Sequence, residues 1–198
     1  MTPSILRAVF LTATTAVATI AAAAGAVVGE PAPGFTLSDS AGHEVSLGDL
    51  KGKVVVIEWL NPDCPFVQRH YREGTMKRLE TAYADRGVVW LTVNSTHYMD
   101  AKASAAFAET QKIDWPILVD QDGAVGRAYG AQTTPHMFVI DGKGTVVYAG
   151  AIDDDPRGSK PASERTDYVA KALDEVLAGK PVATPETKPY GCSVKYAK

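Results

Sequence analysis

The sequence predicts a mixed α/β fold: a central sheet of largely parallel strands flanked by helices, with antiparallel hairpins at its margins. Three observations predict it. The run Val54-Val55-Val56-Ile57, unbroken, β-branched and bounded by Gly52, reads as a buried central strand. Segments of strand character then alternate with segments of helical period, the order expected when helices cross between parallel strands. Finally, Asp141-Gly142-Lys143-Gly144 separates two strand-like runs, which is a hairpin signature.

The elements follow in chain order. Pro31–Leu37 reads as a short strand, and Ser38–Glu44 as a turn built on Asp39, Ser40 and Gly42. Val45–Leu50 leads into the central strand Val54–Ile57, after which Glu58–Cys64 is expected to be loop. From Pro65 to about Asp85 the pattern turns helical, with Val67, Tyr71, Leu79 and Tyr83 on one side. Gly74 and Thr75 place a kink midway. Gly87–Val93 is a second buried strand, and Asp100–Gln111 an alanine-rich helix anchored by Phe107. Pro116–Asp120 is a short strand, and Gly123–Tyr129 a short helix ended by Gly130. His136–Ile140 and Thr145–Ala149 form the hairpin, and Ser163–Ala178 a final amphipathic helix closed by Gly179. Pro181, Pro185 and Pro189 space out a tail over residues 181–198 that has no periodicity and is expected to be extended.

The two ends differ in kind from the body. Arg7 supplies a positive start, Ala8 to about Ala23 is apolar, and Ala24-Gly25-Ala26 is a small-x-small cleavage pattern. Residues 1–26 therefore read as an export signal, the domain spans 27–180, and a bacterial host would deliver it to the periplasm. The rival is an uncleaved anchor, against which Thr12, Thr14, Thr15 and Thr19 dilute the apolar stretch. A net charge of −3 with no basic stripe argues against nucleic acid as a partner, and leaves the membrane as a partner only through an uncleaved signal.

The chemistry-bearing residues are few. Cys64 stands in Pro62-Asp63-Cys64-Pro65-Phe66-Val67, where a strand gives way to a helix, with Pro65 as the first helical residue. Unpaired amides and the positive end of the helix favour a thiolate there, whereas the preceding Asp63 opposes it. The plainer reading is a cysteine that only fills space. Thr133-Thr134-Pro135-His136 precedes a strand, and a proline so placed is a candidate cis peptide. Cys192 is the second of two cysteines, and an oxidising compartment permits the pair to bond. A structural clasp of that loop length stabilises by about 4–5 kcal/mol at most.

With these residues in view, the span from about Ala32 to Ala178 resembles the redoxin group of the thioredoxin-like superfamily, which includes the alkyl hydroperoxide reductase and thiol-specific antioxidant proteins. The Cys64–Val67 stretch and Gly191-Cys192-Ser193-Val194-Lys195-Tyr196 are most similar to a peroxiredoxin-like subgroup. The resemblance implies a thioredoxin-like fold and a thiol-dependent oxidoreductase with antioxidant or disulfide-exchange activity. Its substrate would be a thiol, disulfide or peroxide, with an external reductant and no cofactor. It casts Cys64 as the attacking sulfur, Cys192 as a resolving thiol, and Pro65, Thr134 and Pro135 as substrate-binding residues. The sequence also departs from the group. Val67 holds the place of the second cysteine of Cys-x-x-Cys. Ile57 and Asn61 stand where peroxiredoxins carry their Pro-x-x-x-Thr/Ser pattern, and the peroxide-activating arginine is missing near Pro135-His136.

Other outcomes remain open at this level. Cys64 with His136, His97 or Met137 is a soft-metal set suited to Cu(I), which makes a non-catalytic docking or copper-binding module the alternative, although no metal site is expected. Glu58 is either a buried proton acceptor or a solvent-facing residue.

Overall fold

Alternation of side chains along the central strand decides how the molecule is layered. The structure, a computed structural model, describes residues 25–198, so the export signal expected over residues 1–26 lies, but for its last two residues, outside what is described. Thr36–Ser38 (β1) and Glu44–Ser46 (β2) form the first hairpin, and Val54–Leu60 (β3) is the central strand. Pro65–Arg72 (α1) and Thr75–Ala84 (α2) follow, then Val88–Asn94 (β4), Ala101–Gln111 (α3), Ile117–Val119 (β5) and Ala124–Tyr129 (α4). Thr133–Thr134 (β6), His136–Ile140 (β7), Val146–Gly150 (β8), Tyr168–Leu177 (α5) and Cys192–Ser193 (β9) complete the order.

The main sheet runs β5-β4-β3-β7-β8, with β3, β4 and β5 parallel and β7 and β8 antiparallel to their neighbours. Val56 and Leu60 of β3 point to the face covered by Val67 and Tyr71 of α1, Leu79 of α2 and Leu173 of α5. Val55, Ile57 and Trp59 point the other way, onto Val125 and Tyr129 of α4, Phe35 and the first hairpin. Trp59 is wholly buried, its ring 5.1 Å from that of Tyr129 and 5.3 Å from that of Phe138, and its indole N–H donates to Ser95 Oγ at 3.0 Å. Burial on both faces explains why β3 lacks polar alternation.

Four elements differ from their sequence-based expectation. The first strand occupies Thr36–Ser38 and not Pro31–Leu37, because only there does it pair with Glu44–Ser46. The central strand runs to Leu60 instead of ending at Ile57, because Glu58, Trp59 and Leu60 pair with Thr92, Val93 and Asn94 of β4. A charged residue interrupts an apolar run without interrupting a backbone ladder. The long helix divides in two at Gly74, whose left-handed conformation (φ 70°) ends the first run of helical hydrogen bonds. The last helix begins at Tyr168, not Ser163, since the Asp167 side chain accepts from the Ala170 amide as its cap.

The proline-spaced tail lies extended along the body. Pro185 O accepts from the Ala149 amide at 3.0 Å, the Thr187 amide donates to Ala149 O at 3.1 Å, and β9 pairs antiparallel with β6. Among the described residues, no helix is long and apolar enough to cross a membrane.

Candidate active site

Cys64 is the residue that caps α1. Its backbone is extended, its carbonyl accepts the first helical bond from the Gln68 amide at 2.9 Å, and Pro65 occupies the first helical position. Asn61, itself buried, shapes the approach: its carbonyl accepts from the Cys64 amide at 3.0 Å and its side chain from the Asp63 amide at 2.8 Å. The strand-to-helix junction therefore places the sulfur over the end of β3 with the helix amides opening towards it. Pro65 is exposed on the outer rim of this junction.

The opposite wall comes from β6. The Thr134–Pro135 peptide is cis, as the motif predicts, and both residues are buried. Cys64 Sγ donates to the Thr134 carbonyl at 2.9 Å, and Cys64 is 1% exposed. On the far edge of β6, Cys192 stands in register with Thr134. The tail thus brings the second cysteine to the residue that touches the first, and both thiols are unbonded and reduced.

The two thiols are biased in opposite directions. Burial by itself raises Cys64, but hydrogen bonds from the Thr134 side chain, the Val67 amide and Cys192 outweigh it, so its pKa lies below the ordinary thiol value. The Val67 amide is one of the unpaired donors of the first helical turn. The contact with the Thr134 carbonyl serves the protonated sulfur only. A thiolate needs donors, and Thr134 Oγ1, buried and without a hydrogen-bond partner among the described residues, is available as one. Cys192 moves the other way, pushed up to about 11 by burial, by a hydrogen bond with Cys64 and by the proximity of a Cys64 charge. Of the two sulfurs, Cys64 is the one whose surroundings favour ionisation and Cys192 the one whose surroundings oppose it.

Beneath the site, Glu58 is fully buried on β3, which decides between its two expected orientations. Tyr71 Oη donates to Glu58 Oε2 at 3.0 Å and Thr92 Oγ1 at 3.3 Å, while Oε1 has no partner among the described residues. Burial pushes the carboxyl up to about 7, the hydrogen bonds from Tyr71 and Thr92 opposing it only in part. Tyr71 belongs to the helix that Cys64 caps, so a proton-accepting group titrating near neutrality is tied to the reactive helix.

The remaining candidates lie elsewhere. His97 is exposed, and His43 is exposed on the first turn against Asp39. His136 is buried behind Pro135, accepts from the Gln132 amide at 3.3 Å, and is driven down to about 4 by burial. Among the described residues no three His, Cys, Asp or Glu side chains gather as metal ligands. Arg127 is engaged by Asp122 O at 2.6 Å and Ala197 O at 2.8 Å. Arg69 binds Asp155 O at 3.0 Å and Tyr190 Oη at 3.3 Å. Asp63 is exposed and accepts from Tyr98 Oη at 3.3 Å.

Sequence reasoning missed one cluster. Tyr190 of the tail meets His70 Nε2 at 3.1 Å and donates to Asp153, beneath the guanidinium of Arg69. His70 is wholly buried and held down at about 4, chiefly by burial. Only the adjacency of Tyr190 to Gly191-Cys192 hinted at it, and adjacency carries no partner.

Comparison with known proteins agrees with this geometry. Residues 28–149 match the AhpC/TSA family. Thioredoxin-like protein YneN of Bacillus subtilis is 30% identical over 118 residues, covering 60% of this chain and 68% of that protein. Thiol-disulfide oxidoreductase ResA of Geobacillus kaustophilus is 35% identical over 120 residues, covering 60% of this chain and 66% of that one. The chain thus spans about two thirds of the length of these relatives. The crystal structure of an uncharacterised conserved protein from Geobacillus kaustophilus superposes with a TM-score of 0.78 at 31% identity, over 86% of this chain and 93% of that one.

Proposed function

The chain belongs to the AhpC/TSA family and its chemistry is that of a thiol-dependent oxidoreductase; from this premise we propose that it exchanges disulfides through Cys64, with Cys192 as the resolving thiol. The observation that carries this is the meeting of both cysteines at Thr134, one in contact with its carbonyl and one paired across from it.

The steps balance simply. The Cys64 thiolate attacks one sulfur of a substrate disulfide, whose S–S bond breaks as the mixed disulfide forms, and the other substrate sulfur leaves as a thiolate that takes a proton from solvent. Cys192 loses its proton to solvent and attacks Cys64 Sγ. The mixed disulfide breaks, the second substrate thiol is released, and a Cys64–Cys192 bond remains for an external dithiol to reduce. The divided thiol pKa values suit this order of events, since the better nucleophile at neutral pH is the sulfur that must act first. Thr134 and Pro135 wall the sulfur, Pro65 forms the outer rim, and the substrate is placed between them.

Location and domain limits belong to the same proposal. Residues 1–26 direct export, 27–180 form the redoxin domain, 181–198 carry the resolving cysteine, and the protein works in an oxidising compartment such as the periplasm. ResA is named a thiol-disulfide oxidoreductase, and substrates and reductant of that chemical class are expected here.

The test is trapping. Oxidised chain digested without reductant should yield one Cys64–Cys192 linked peptide. Cys192→Ser should accumulate a mixed disulfide on Cys64, and Cys64→Ser should lose exchange activity. Full activity in Cys64→Ser would falsify the assignment.

A further inference from the structure

We infer that Tyr190 is the positioning residue of the resolving step: seated against the helix that Cys64 caps, it fixes the stretch of tail that carries Cys192 beside Cys64. This rests on the assignment of Cys192 as the resolving thiol and adds what holds that thiol in place.

The ladder between β6 and β9 is two residues long, too short to fix a chain on its own. The segment just before it is held by a side chain. Tyr190 Oη donates to Asp153 Oδ1, accepts from Arg69 Nη2 at 3.3 Å and meets His70 Nε2 at 3.1 Å. Its ring lies against that of Phe66, 6.0 Å between centroids, and the Arg69 guanidinium stands 5.9 Å from its centre. Phe66, Arg69 and His70 all belong to α1, so Cys64 and the anchor of Cys192 share one rigid element.

The seat is braced from behind. His70, Asp153 and Asp155 are buried. Asp155 O accepts from Arg69 Nη2 at 3.0 Å, and the Asp155 carboxylate accepts from the Ser159 amide at 2.9 Å, the Lys160 amide at 3.0 Å and Arg165 Nε at 3.0 Å. A hydroxyl bonded to a carboxylate in such surroundings is stronger and more directional than a surface contact. Only Gly191 separates Tyr190 from Cys192, and two residues reach at most about 7 Å, so fixing the phenol leaves the sulfur little freedom. A thiol held at its target reacts as a near neighbour and not as a loose chain end, which multiplies its rate.

Glutathione disulfide separates the two steps in the full chain. The Cys64 thiolate attacks one of its sulfurs and releases one glutathione thiolate. Cys192, its proton lost to solvent, then attacks Cys64 Sγ and releases the second, leaving the Cys64–Cys192 bond. Mass after acid quench follows the mixed disulfide as it forms and as it decays. In Tyr190→Phe the decay should slow by about tenfold, the factor that goes with one net hydrogen bond, while formation is not slowed. Tyr190→Ala, which also loses the ring, should slow the decay further. Tyr83→Phe loses a hydroxyl bond to Ala170 O between α2 and α5 and should leave both steps as in wild type, which separates positioning from general loosening. Decay at the wild-type rate in both Tyr190 variants, or equal slowing in Tyr83→Phe, overturns the proposal. If the wild type itself stops at the mixed disulfide, Cys192 resolves nothing, and the positioning role falls with that assignment.

Discussion

Replacing Glu58 by glutamine should remove a pH-dependent penalty on folding. The carboxyl has a pKa near 4.5 when solvated and about 7 in the fold. Below the lower value both states hold the proton and nothing is lost. As pH rises towards 7 the unfolded chain ionises while the buried group does not, and stability falls. Above 7 the loss is complete at about 3.4 kcal/mol, the energy of that pKa difference. Between about pH 5 and about pH 8 the wild type should therefore lose about 2.5 kcal/mol that Glu58→Gln does not lose. Glutamine keeps an acceptor for Tyr71 and Thr92 but turns an amide towards the place where Oε1 has no partner among the described residues, a constant cost that the comparison across pH cancels. Urea unfolding of both reduced proteins at the two pH values gives the difference directly. Parallel stability curves for wild type and variant would refute the buried-proton account, and with it the role of Glu58 as an acceptor near neutrality.

Three further outcomes follow from the same geometry. Thr134→Val removes a hydroxyl that supports the thiolate, so the pH midpoint for alkylation of Cys64 should move upward; an unmoved midpoint would leave the helix amides as sufficient support. His136 is held neutral at about 4 against 6.5 when solvated, so the unfolded chain gains a proton on acidification that the fold refuses. From about pH 7.5 to about pH 5 this costs about 2 kcal/mol, and His136→Gln should show a correspondingly flatter acid limb in urea unfolding, with an equal slope counting against it. Tyr190→Phe strips a bond from buried His70 and Asp153 and should lower stability by about 1–3 kcal/mol in thermal unfolding, whereas an unchanged midpoint would mean the cluster is not coupled to the tail.

Much of the architecture was open to inspection in the residues alone. Val54–Ile57 announced a buried strand, the Asp141–Gly144 turn a hairpin, and Pro65 after Cys64 a helix start, because each of these is decided by local geometry or by a period shorter than one element. The cis peptide at Thr134–Pro135 was legible for the same reason. Where the residues misled, one deciding partner was remote and the other was a local competitor. Glu58 looks like the end of a strand until β4 is laid beside it, and Ser163 looks like a helix start only until Asp167, four residues on, takes the Ala170 amide as the cap.

The sequence by itself determined the α/β class, the sulfur at a helix start, and the presence of a second cysteine on a proline-spaced tail. It left open whether that tail was a clasp or a resolver, and whether Glu58 faced water. Only the tertiary structure decided that Cys192 stands across from Thr134, that Cys64 touches the same residue, and that Glu58 is sealed beneath α1. The physical reason is range: helix capping and strand period act within a few residues, whereas the meeting of residues 64, 134 and 192 depends on how the sheet is ordered and where the tail comes to rest.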